Sequence, residues 1–276
     1  MGETGLLFHY TDAAGLLGIA RDAALWAGDA EFLNDAQELR YGRPALHRAL
    51  LEAADLAASR DGPGGPQASR AQIMRSAASQ IDPDQFTLQP TSHAVYVVCF
   101  CEEADVLSQW RGYAEGGGYA LGFDRGALSR LSAGENTTPI VLRPVRYGPA
   151  SIGPMVKTVL DAVAPRPTGH PGVTGFWAAG TVVLPTLAQV KHEAFAEERE
   201  WRLITTSAGS RDLTFRSGPR WPVPYLAISF PVEALRRVVV GPGPDADLRV
   251  HGLRKLLWGT GCEHVEASVS EASFRG

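Results

Sequence analysis

The sequence is poor in cysteine and lysine and has no long hydrophobic run. Its three cysteines are too few and too unevenly spaced for a disulfide framework. Cys99 and Cys101 lie two residues apart in VYVVCFCEE, a run typical of a strand, and no second pair follows to complete the four ligands of a structural zinc site. We therefore expect both to be buried free thiols.

Targeting signals are also missing. The opening residues, MGETGLLFHYT, contain no basic segment followed by a long apolar stretch, so a secretory signal is not predicted. No window approaches the roughly 20 apolar residues that a membrane-spanning helix needs. These absences predict a cytoplasmic protein that does not enter the membrane.

Several common catalytic motifs are absent. GGGYALGF has neither the spacing of a GxGxxG turn nor a helix after it, and no GxxxxGK[ST] loop or HExxH pair occurs. The seven histidines are scattered. The usual dinucleotide-binding turn and the P-loop ATPases are thus excluded, and we expect no metal site.

Charge is nearly balanced overall but uneven along the chain. The formal net charge of −4 argues against a protein that coats nucleic acid non-specifically. Residues 207–224 nevertheless carry three arginines and one acidic residue. We expect this segment to be a long loop, and it is a candidate surface for an acidic acceptor such as nucleic acid.

The hydrophobic pattern predicts an α+β protein with a single domain over 1–276. Alternation predicts a strand at 6–11, and helical spacing predicts a helix after it and another from about 32 to 59. Residues 60–70 (RDGPGGPQASR) are predicted to be a flexible loop, and 184–195 a helix. Strands dominate the later part without a regular βαβ alternation.

Two carboxylates, Glu198 and Glu200, stand where this helical pattern gives way to the strand-like run WRLITT. Charged residues at the end of an element are commonly solvated surface. The alternative is that they stabilise a developing positive charge in a reaction, and the pair alone does not decide between the two.

Four stretches resemble an uncharacterised bacterial family that is known only as a domain of unknown function. They are FHYT (8–11), FLNDAQE (32–38), CFCEEADVLSQWRGYAEGGGYALGFD (99–124) and FAEEREWRL (195–203). RVVVGPG (237–243) agrees with the same pattern. That family in turn resembles remote ADP-ribosyltransferases, which bind NAD in a central cleft between two small mixed or antiparallel sheets. The resemblance implies this fold, with helices gathered in the N-terminal part.

The resemblance also implies site residues. Glu200 and Glu198 would be the catalytic carboxylates. The residues implied to bind NAD are His9, Tyr10, Thr11, Asn34, Trp110, Arg111, Tyr113, Tyr119 and Arg202. The aromatic residue that stacks on nicotinamide is left open among Trp26, Tyr41, Trp110, Tyr113 and Tyr119.

The chemistry explains why such residues are wanted. Cleavage of the nicotinamide–ribose bond develops positive charge on the ribose, as glycoside hydrolysis does. A fixed carboxylate stabilises that charge, and Glu200 would do so while hydrogen-bonding the ribose. Glu198 would orient or deprotonate the nucleophile, and Arg202, on the same strand face, would keep Glu200 ionised.

Each assignment has a structural alternative. His9 could be a core histidine bonded to the backbone, and Thr11 or Asp12 could cap the following helix. Asn34 could likewise be a capping residue. Trp110 and Tyr113 could simply pack in the interior.

The implied function is an NAD-consuming ADP-ribosyltransferase. It would transfer ADP-ribose to a protein or nucleic acid, or hydrolyse NAD, in a toxin or defence role with an antitoxin or regulatory partner. One alternative is an inactive module that binds a nucleotide or ADP-ribose. Another is a metal-independent glycosidase or RNA-cleaving enzyme that uses the glutamate pair.

Overall fold

The computed structural model describes residues 5–33, 38–60, 66–83, 93–113, 117–131, 139–163, 179–208, 214–218 and 221–272. Within these ranges the helices are α1 (Ala13–Asp22), α2 (Glu38–Arg60), α3 (Pro66–Gln80), α4 (Leu107–Tyr113), α5 (Arg125–Ser129), α6 (Ile152–Val163), α7 (Leu184–Leu187) and α8 (Ala246–Gly259). Short 3-10 turns cover Ala30–Phe32, Pro149–Ser151, Glu193–Glu198 and Val232–Ala234, and a π-helical turn covers Ala179–Val183.

The strands of the described chain, in the same order, are β1 (Leu6–Thr11), β2 (Ala24–Asp29), β3 (His93–Cys101), β4 (Tyr119–Asp124), β5 (Val141–Pro144), β6 (Arg146–Tyr147), β7 (Val190–Lys191), β8 (Glu200–Ala208), β9 (Thr214–Ser217), β10 (Pro222–Ser229), β11 (Leu235–Val240) and β12 (Glu266–Val269). Ten of them form one sheet in the order β12-β11-β4-β1-β3-β2-β10-β9, to which β8 and β5 are joined through β3. Within this sheet only β11 and β12 pair in parallel. The strands β6 and β7 form a separate parallel pair.

The sheet divides at β3. Strand β8 pairs with β3 along its whole length, from His93 to Cys101, and so occupies one of its two edges. The other edge is shared: β1 meets it at Cys101, and β2 meets it at Tyr96 and Val97. Between these two contacts β1 and β2 diverge, so the sheet opens into a fork above residues 98–100.

Helices cover both faces of the sheet. One core packs α1, α5 and α8 against β-strand residues such as Tyr96, Phe100 and Leu203. The other packs α2, α3, α6 and α7 against residues such as Val97 and Ile204. Because successive strand residues point to opposite faces, neighbours on β3 and β8 divide between the two cores. In the described residues no helix is both long and apolar enough to span a membrane.

The α+β class is confirmed, but the arrangement differs from the expected one. A large mixed sheet replaces the expected pair of small sheets, because β3 bonds to strands on both of its edges. The helices are not gathered in the N-terminal part either: α6 and α8 lie in the second half of the chain and cover opposite faces.

Three local predictions were wrong. The supposed loop at 60–70 runs into α3, which begins at Pro66, where proline's fixed φ suits a first helical turn. The supposed loop at 207–224 contains β9 and the start of β10. The helix expected over 184–195 ends at Leu187, and a short strand and a 3-10 turn follow.

We expect the Tyr10 hydroxyl to stabilise the fold measurably. This buried group donates to the Glu103 carbonyl (2.9 Å) and accepts from the Val106 amide (3.0 Å), so it secures the chain between β3 and α4. Tyr10→Phe leaves both backbone groups without that partner and should lower the free energy of unfolding by about 1–3 kcal/mol in urea titrations. The control is Tyr41→Phe, because within the described chain no hydrogen bond is found for the Tyr41 hydroxyl. Equal stability of the two variants would contradict this role.

Candidate functional site

A cleft opens where β1, the end of β3 and the start of β8 meet, with α4 alongside. It encloses about 340 Å³ of space between atoms, a figure that includes space open to solvent. Its lining residues are Phe8, His9, Tyr10, Cys99, Phe100, Cys101, Gln109, Tyr113, Glu198 and Glu200. Five of these were site candidates from the sequence: the two glutamates, His9, Tyr10 and Tyr113.

The backbone just before β8 explains how both glutamates reach the cleft. Glu198 ends a 3-10 turn rather than lying on the strand, and Arg199 follows it in the left-handed region at φ 42°. The strand then begins at Glu200, whose amide donates to the Tyr147 hydroxyl at 2.8 Å. This reversal lets two carboxylates from differently shaped segments converge on one point.

That point is the ammonium of Lys191. Its Nζ lies 2.8 Å from Glu198 Oε2 and 3.2 Å from Glu200 Oε2. The two carboxylates are therefore within about 6 Å of each other, with a cation between them. Lys191 also lies 4.6 Å from the centre of the Phe195 ring, a cation–π contact.

Arg202 completes the cluster from the same strand face as Glu200. Its Nε and one Nη donate to the two oxygens of Glu200 at 2.6 and 2.9 Å, and its other Nη donates to the Ala188 carbonyl at 2.9 Å. Such bidentate pairs are strong and directional. The Glu200–Arg202 contact and the opposite orientation of Trp201 and Leu203 agree with the alternation expected of a strand.

Burial separates the two carboxylates. The exposed fraction of the side chain is 0% for Arg202, 3% for Lys191, 4% for Glu200 and 14% for Glu198. Burial by itself would raise the pKa of Glu200, but the guanidinium of Arg202 and the ammonium of Lys191 outweigh it and lower the pKa well below its usual range. Glu200 is thus a fixed, ionised group, and Glu198 is the more accessible one.

His9, on β1, lies at the fork where β1 and β2 diverge along β3. Its Nδ1 donates to the Cys99 carbonyl at 2.9 Å, which leaves Nε2 as the acceptor nitrogen of the neutral ring. Burial lowers the pKa of His9, and the charge of Arg216 lowers it further, so the ring is neutral at pH 7. The backbone bond matches the structural alternative for His9, and the ring also lines the cleft. A ligand-binding role for it stays a prediction.

The aromatic candidates separate clearly. Tyr113 is exposed on α4 and lines the cleft. Trp110 lies about one helical turn before Tyr113 on α4. It is buried against Tyr10, with 4.7 Å between ring centres, and its indole nitrogen donates to Asp105 at 2.6 Å. Tyr119 is buried in the first core. Of these three, Tyr113 is the ring that a ligand in the cleft can contact.

Trp26 and Tyr41 lie away from the cleft lining. Trp26 packs against Tyr225 at 5.1 Å, and Tyr41 packs edge-on against His192 at 5.4 Å. Neither belongs to the cleft wall as described.

None of the remaining candidates that the structure describes lines the cleft. Asp12, one of the two capping residues considered, caps α1 by accepting from the Gly15 amide at 2.8 Å. Thr11 ends β1, and its hydroxyl packs where a side chain on Gly15 would otherwise lie. Arg111 is exposed on α4. Asn34 lies outside the described residues.

The three cysteines form no disulfide, as expected, and Cys101 is buried, but Cys99 is only partly buried, which corrects the expectation that both would be buried. Burial raises the pKa of the Cys101 thiol, and the charges of Glu200 and Glu198 raise it further, so the thiol is a poor nucleophile at neutral pH. In the part of the chain that the structure describes, no group of three or more His, Cys, Asp or Glu side chains could hold a metal ion.

Two residues that organise the site were not predicted from the sequence. Lys191 fell inside an expected helix, and Tyr147 lies 53 residues before Glu200, yet β6 and β7 place Tyr147 and Lys191 directly opposite each other. The only signal for Lys191 was compositional, since it is one of three lysines. Its sequence neighbours gave no indication that it is buried between two glutamates.

We expect the ion cluster to give stability a specific pH dependence. The pKa of Glu200 is lower in the folded protein than its usual 4.5, so at acid pH the folded state binds fewer protons than the unfolded state, and acid favours unfolding. Its contribution is complete above pH about 4.5 and declines as the pH falls further. Glu200→Gln leaves two buried cations short of a partner and should lower the free energy of unfolding by about 3–5 kcal/mol at pH 7. The difference in free energy of unfolding between Glu200→Gln and the wild type should become smaller below pH about 4.5.

The control for this urea titration series is Glu103→Gln. Glu103 pairs with Arg199 at 2.9 Å, but both side chains are more than half exposed, so we expect a change of at most about 1 kcal/mol. A gap between Glu200→Gln and wild type that stays constant with pH would show that Glu200 is not held ionised by the cluster.

Part of the chain that forms this site matches a known protein family. A family model described as "Protein of unknown function (DUF2971)" matches residues 109–203. The match includes Tyr113, Lys191, Glu198, Glu200 and Arg202, and it does not reach β1. No curated protein and no solved structure matches the chain significantly. Residues 109–203 are therefore similar to a family of unknown function, and the relation to ADP-ribosyltransferases stays a prediction.

Proposed function

We propose that the protein is an NAD-consuming ADP-ribosyltransferase whose reaction takes place in the cleft beside β8. One observation carries the proposal: a neutral histidine on the first strand lines the same cleft as Glu200, which begins a later strand, and Glu198, which ends the turn just before it. The sequence resemblance implied that His9 and these glutamates would meet, although they are about 190 residues apart. Transfer to a macromolecule, or hydrolysis of NAD when no acceptor is bound, belongs to the same proposal.

In this proposal the two glutamates have different tasks. The bond from the ribose to nicotinamide breaks, nicotinamide leaves with the electron pair, and the acceptor or water forms the new bond to the same carbon. Glu200 supplies a preorganised negative charge whose orientation Arg202 and Lys191 fix. Glu198, being more accessible, takes the proton of the nucleophile.

The other cleft residues would bind the dinucleotide. Tyr113 offers an exposed ring for stacking on nicotinamide. His9 would accept a hydrogen bond from a ribose hydroxyl through Nε2, because its Nδ1 already donates to the backbone. Tyr10 contributes the cleft wall, since its hydroxyl is already bonded to the backbone on both sides.

One observation favours a second candidate, an inactive module that binds a nucleotide or ADP-ribose. Both oxygens of Glu200 are already engaged by Arg202, and one of them also by Lys191. A carboxylate that is saturated in this way serves a structural purpose well. This candidate predicts affinity for NAD or ADP-ribose without turnover.

The third alternative, a metal-independent glycosidase or RNA-cleaving enzyme, is less well supported. A glycosidase of the usual kind needs one carboxyl group with a raised pKa to protonate the leaving group. The pKa of Glu200 is lowered instead, which disfavours it as that acid.

The test is nicotinamide release from NAD by the purified full chain, with and without total cellular protein and nucleic acid. We expect Glu198→Gln to reduce release at least about 100-fold, because it removes the proposed base while keeping the shape of the side chain. Glu200→Gln should reduce release as well, and circular dichroism and unfolding must accompany it because the variant also loses stability. NAD labelled in the adenylate half would identify the class of acceptor.

Glu103→Gln is the matched control, since this glutamate is exposed and pairs only at the surface. Release that survives Glu198→Gln and Glu200→Gln alike would reject the proposed roles. If calorimetry detects NAD or ADP-ribose binding but no release occurs under any condition, the binding module is correct.

A further inference from the structure

A second surface with unusual chemistry lies on the hairpin formed by β9 and β10. Trp26 on β2, Tyr225 on β10, Arg216 on β9 and Trp221 at the turn form what we call the hairpin patch. The reaction proposed for the cleft makes no use of it, and three of its four members carry aromatic rings.

The strand register places these side chains on one face. Trp26 is opposite Ala227, and Arg216 is opposite Val223. Tyr225 lies two residues from each of those partners, so it shares their face of the sheet. Trp26 and Tyr225 touch, with 5.1 Å between ring centres and 34° between ring planes. Trp221 lies two residues before Val223, and its carbonyl accepts from the Gly218 amide at 3.1 Å, which continues the hairpin pairing.

The patch is open to solvent at the hairpin end. Trp221 is 50% exposed, and every residue of β9, including Arg216, is exposed. Trp26 and Tyr225 are half-buried. Large aromatic rings displayed beside an arginine on an edge strand indicate an interaction surface, because exposing them to water is unfavourable.

The hairpin patch lies on the same face of the sheet as Glu200, which lines the cleft. Gly28, two residues after Trp26, is opposite Val97, and Cys101, four residues further along β3, is opposite Glu200. Strand β9 is separated from β8 by four inter-strand spacings along the path β8-β3-β2-β10-β9, or roughly 19 Å. Burial is the main cause of the lowered pKa of His9, and the charge of Arg216 also lowers it, so Arg216 is near enough to influence a residue that lines the cleft.

We propose that the hairpin patch binds single-stranded nucleic acid and presents it to the cleft as the acceptor. Bases stack on Trp221 and Tyr225, and Arg216 contacts a phosphate. The role of the bound strand as an acceptor rests on the proposed function, whereas binding to the patch does not require any reaction of NAD.

The composition and shape of the patch favour this ligand over others. Several rings in a row match successive bases of one strand, whereas a single nucleotide would use one ring and one cation. The bases of a duplex are stacked on each other and cannot lie on protein rings without being splayed apart. The local sequence agrees in charge, because 207–224 carries three arginines and one acidic residue.

The test is fluorescence anisotropy with labelled 20-nucleotide single-stranded DNA and RNA of mixed sequence, titrated with the full-length chain. Trp221→Ala should weaken binding at least about fivefold, as expected for the loss of one stacked base. Arg216→Gln should reduce the dependence of log affinity on log salt by about 0.7, as expected for one phosphate contact. Both positions are exposed, so the fold should persist.

Two exposed residues of α8 provide matched controls, Trp258→Ala and Arg254→Gln. Unchanged binding by these controls, together with the losses at Trp221 and Arg216, supports the proposal. Failure of the wild type to bind either oligonucleotide, or equal losses in the controls, overturns it.

Two further outcomes distinguish oligonucleotide binding from mononucleotide binding and from the proposed enzymatic function. If AMP or ADP-ribose binds in a manner that depends on Trp221 while the oligonucleotides do not bind, the patch is a mononucleotide subsite and the proposal is wrong. If oligonucleotides bind through the patch but nicotinamide is never released, the binding inference stands and the proposed enzymatic function fails.

Discussion

A strand has two hydrogen-bonding edges, and this limit shapes the molecule. Because β8 occupies one edge of β3 completely, β1 and β2 have to share the other. They diverge between Val97 and Cys101, and His9 lies at this opening, where its Nδ1 donates to the Cys99 carbonyl. The cleft, the position of His9 and the nearness of the β2–β10–β9 face to the glutamates all follow from this fork.

The second organising feature is the buried group of two cations and two carboxylates at the start of β8. Charges so deeply buried are tolerated only when they are paired, and here Arg202 and Lys191 satisfy Glu200 between them. The pairing keeps Glu200 ionised and immobile and leaves Glu198 nearer to solvent. An arrangement of this kind suits electrostatic stabilisation of a cation, and it equally suits a rigid binding scaffold.

Local sequence predicted the elements best where the pattern was strong. The strand at 6–11 and the alternation through Glu200, Arg202 and Leu203 are set by nearest neighbours along the chain. Predictions failed where tertiary contacts override local preference. Lys191 lies in a sequence with helical character, but pairing with Arg146–Tyr147 draws it into a strand. The prediction at 60–70 failed for a local reason: its glycines and prolines suggested a loop, but Pro66 begins α3, where proline's fixed φ suits a first helical turn.

The sequence by itself determined the α+β class, the free cysteines and the presence of two carboxylates at the mouth of a strand, because these depend on composition and on local periodicity. The tertiary structure alone decided which groups meet. It brought Lys191 and Tyr147 to the glutamates, buried Trp110 and Tyr119, left Tyr113 at the cleft, and aligned Trp26 and Tyr225. Contacts between residues far apart in the chain depend on strand order and register, and one sequence carries no local record of either.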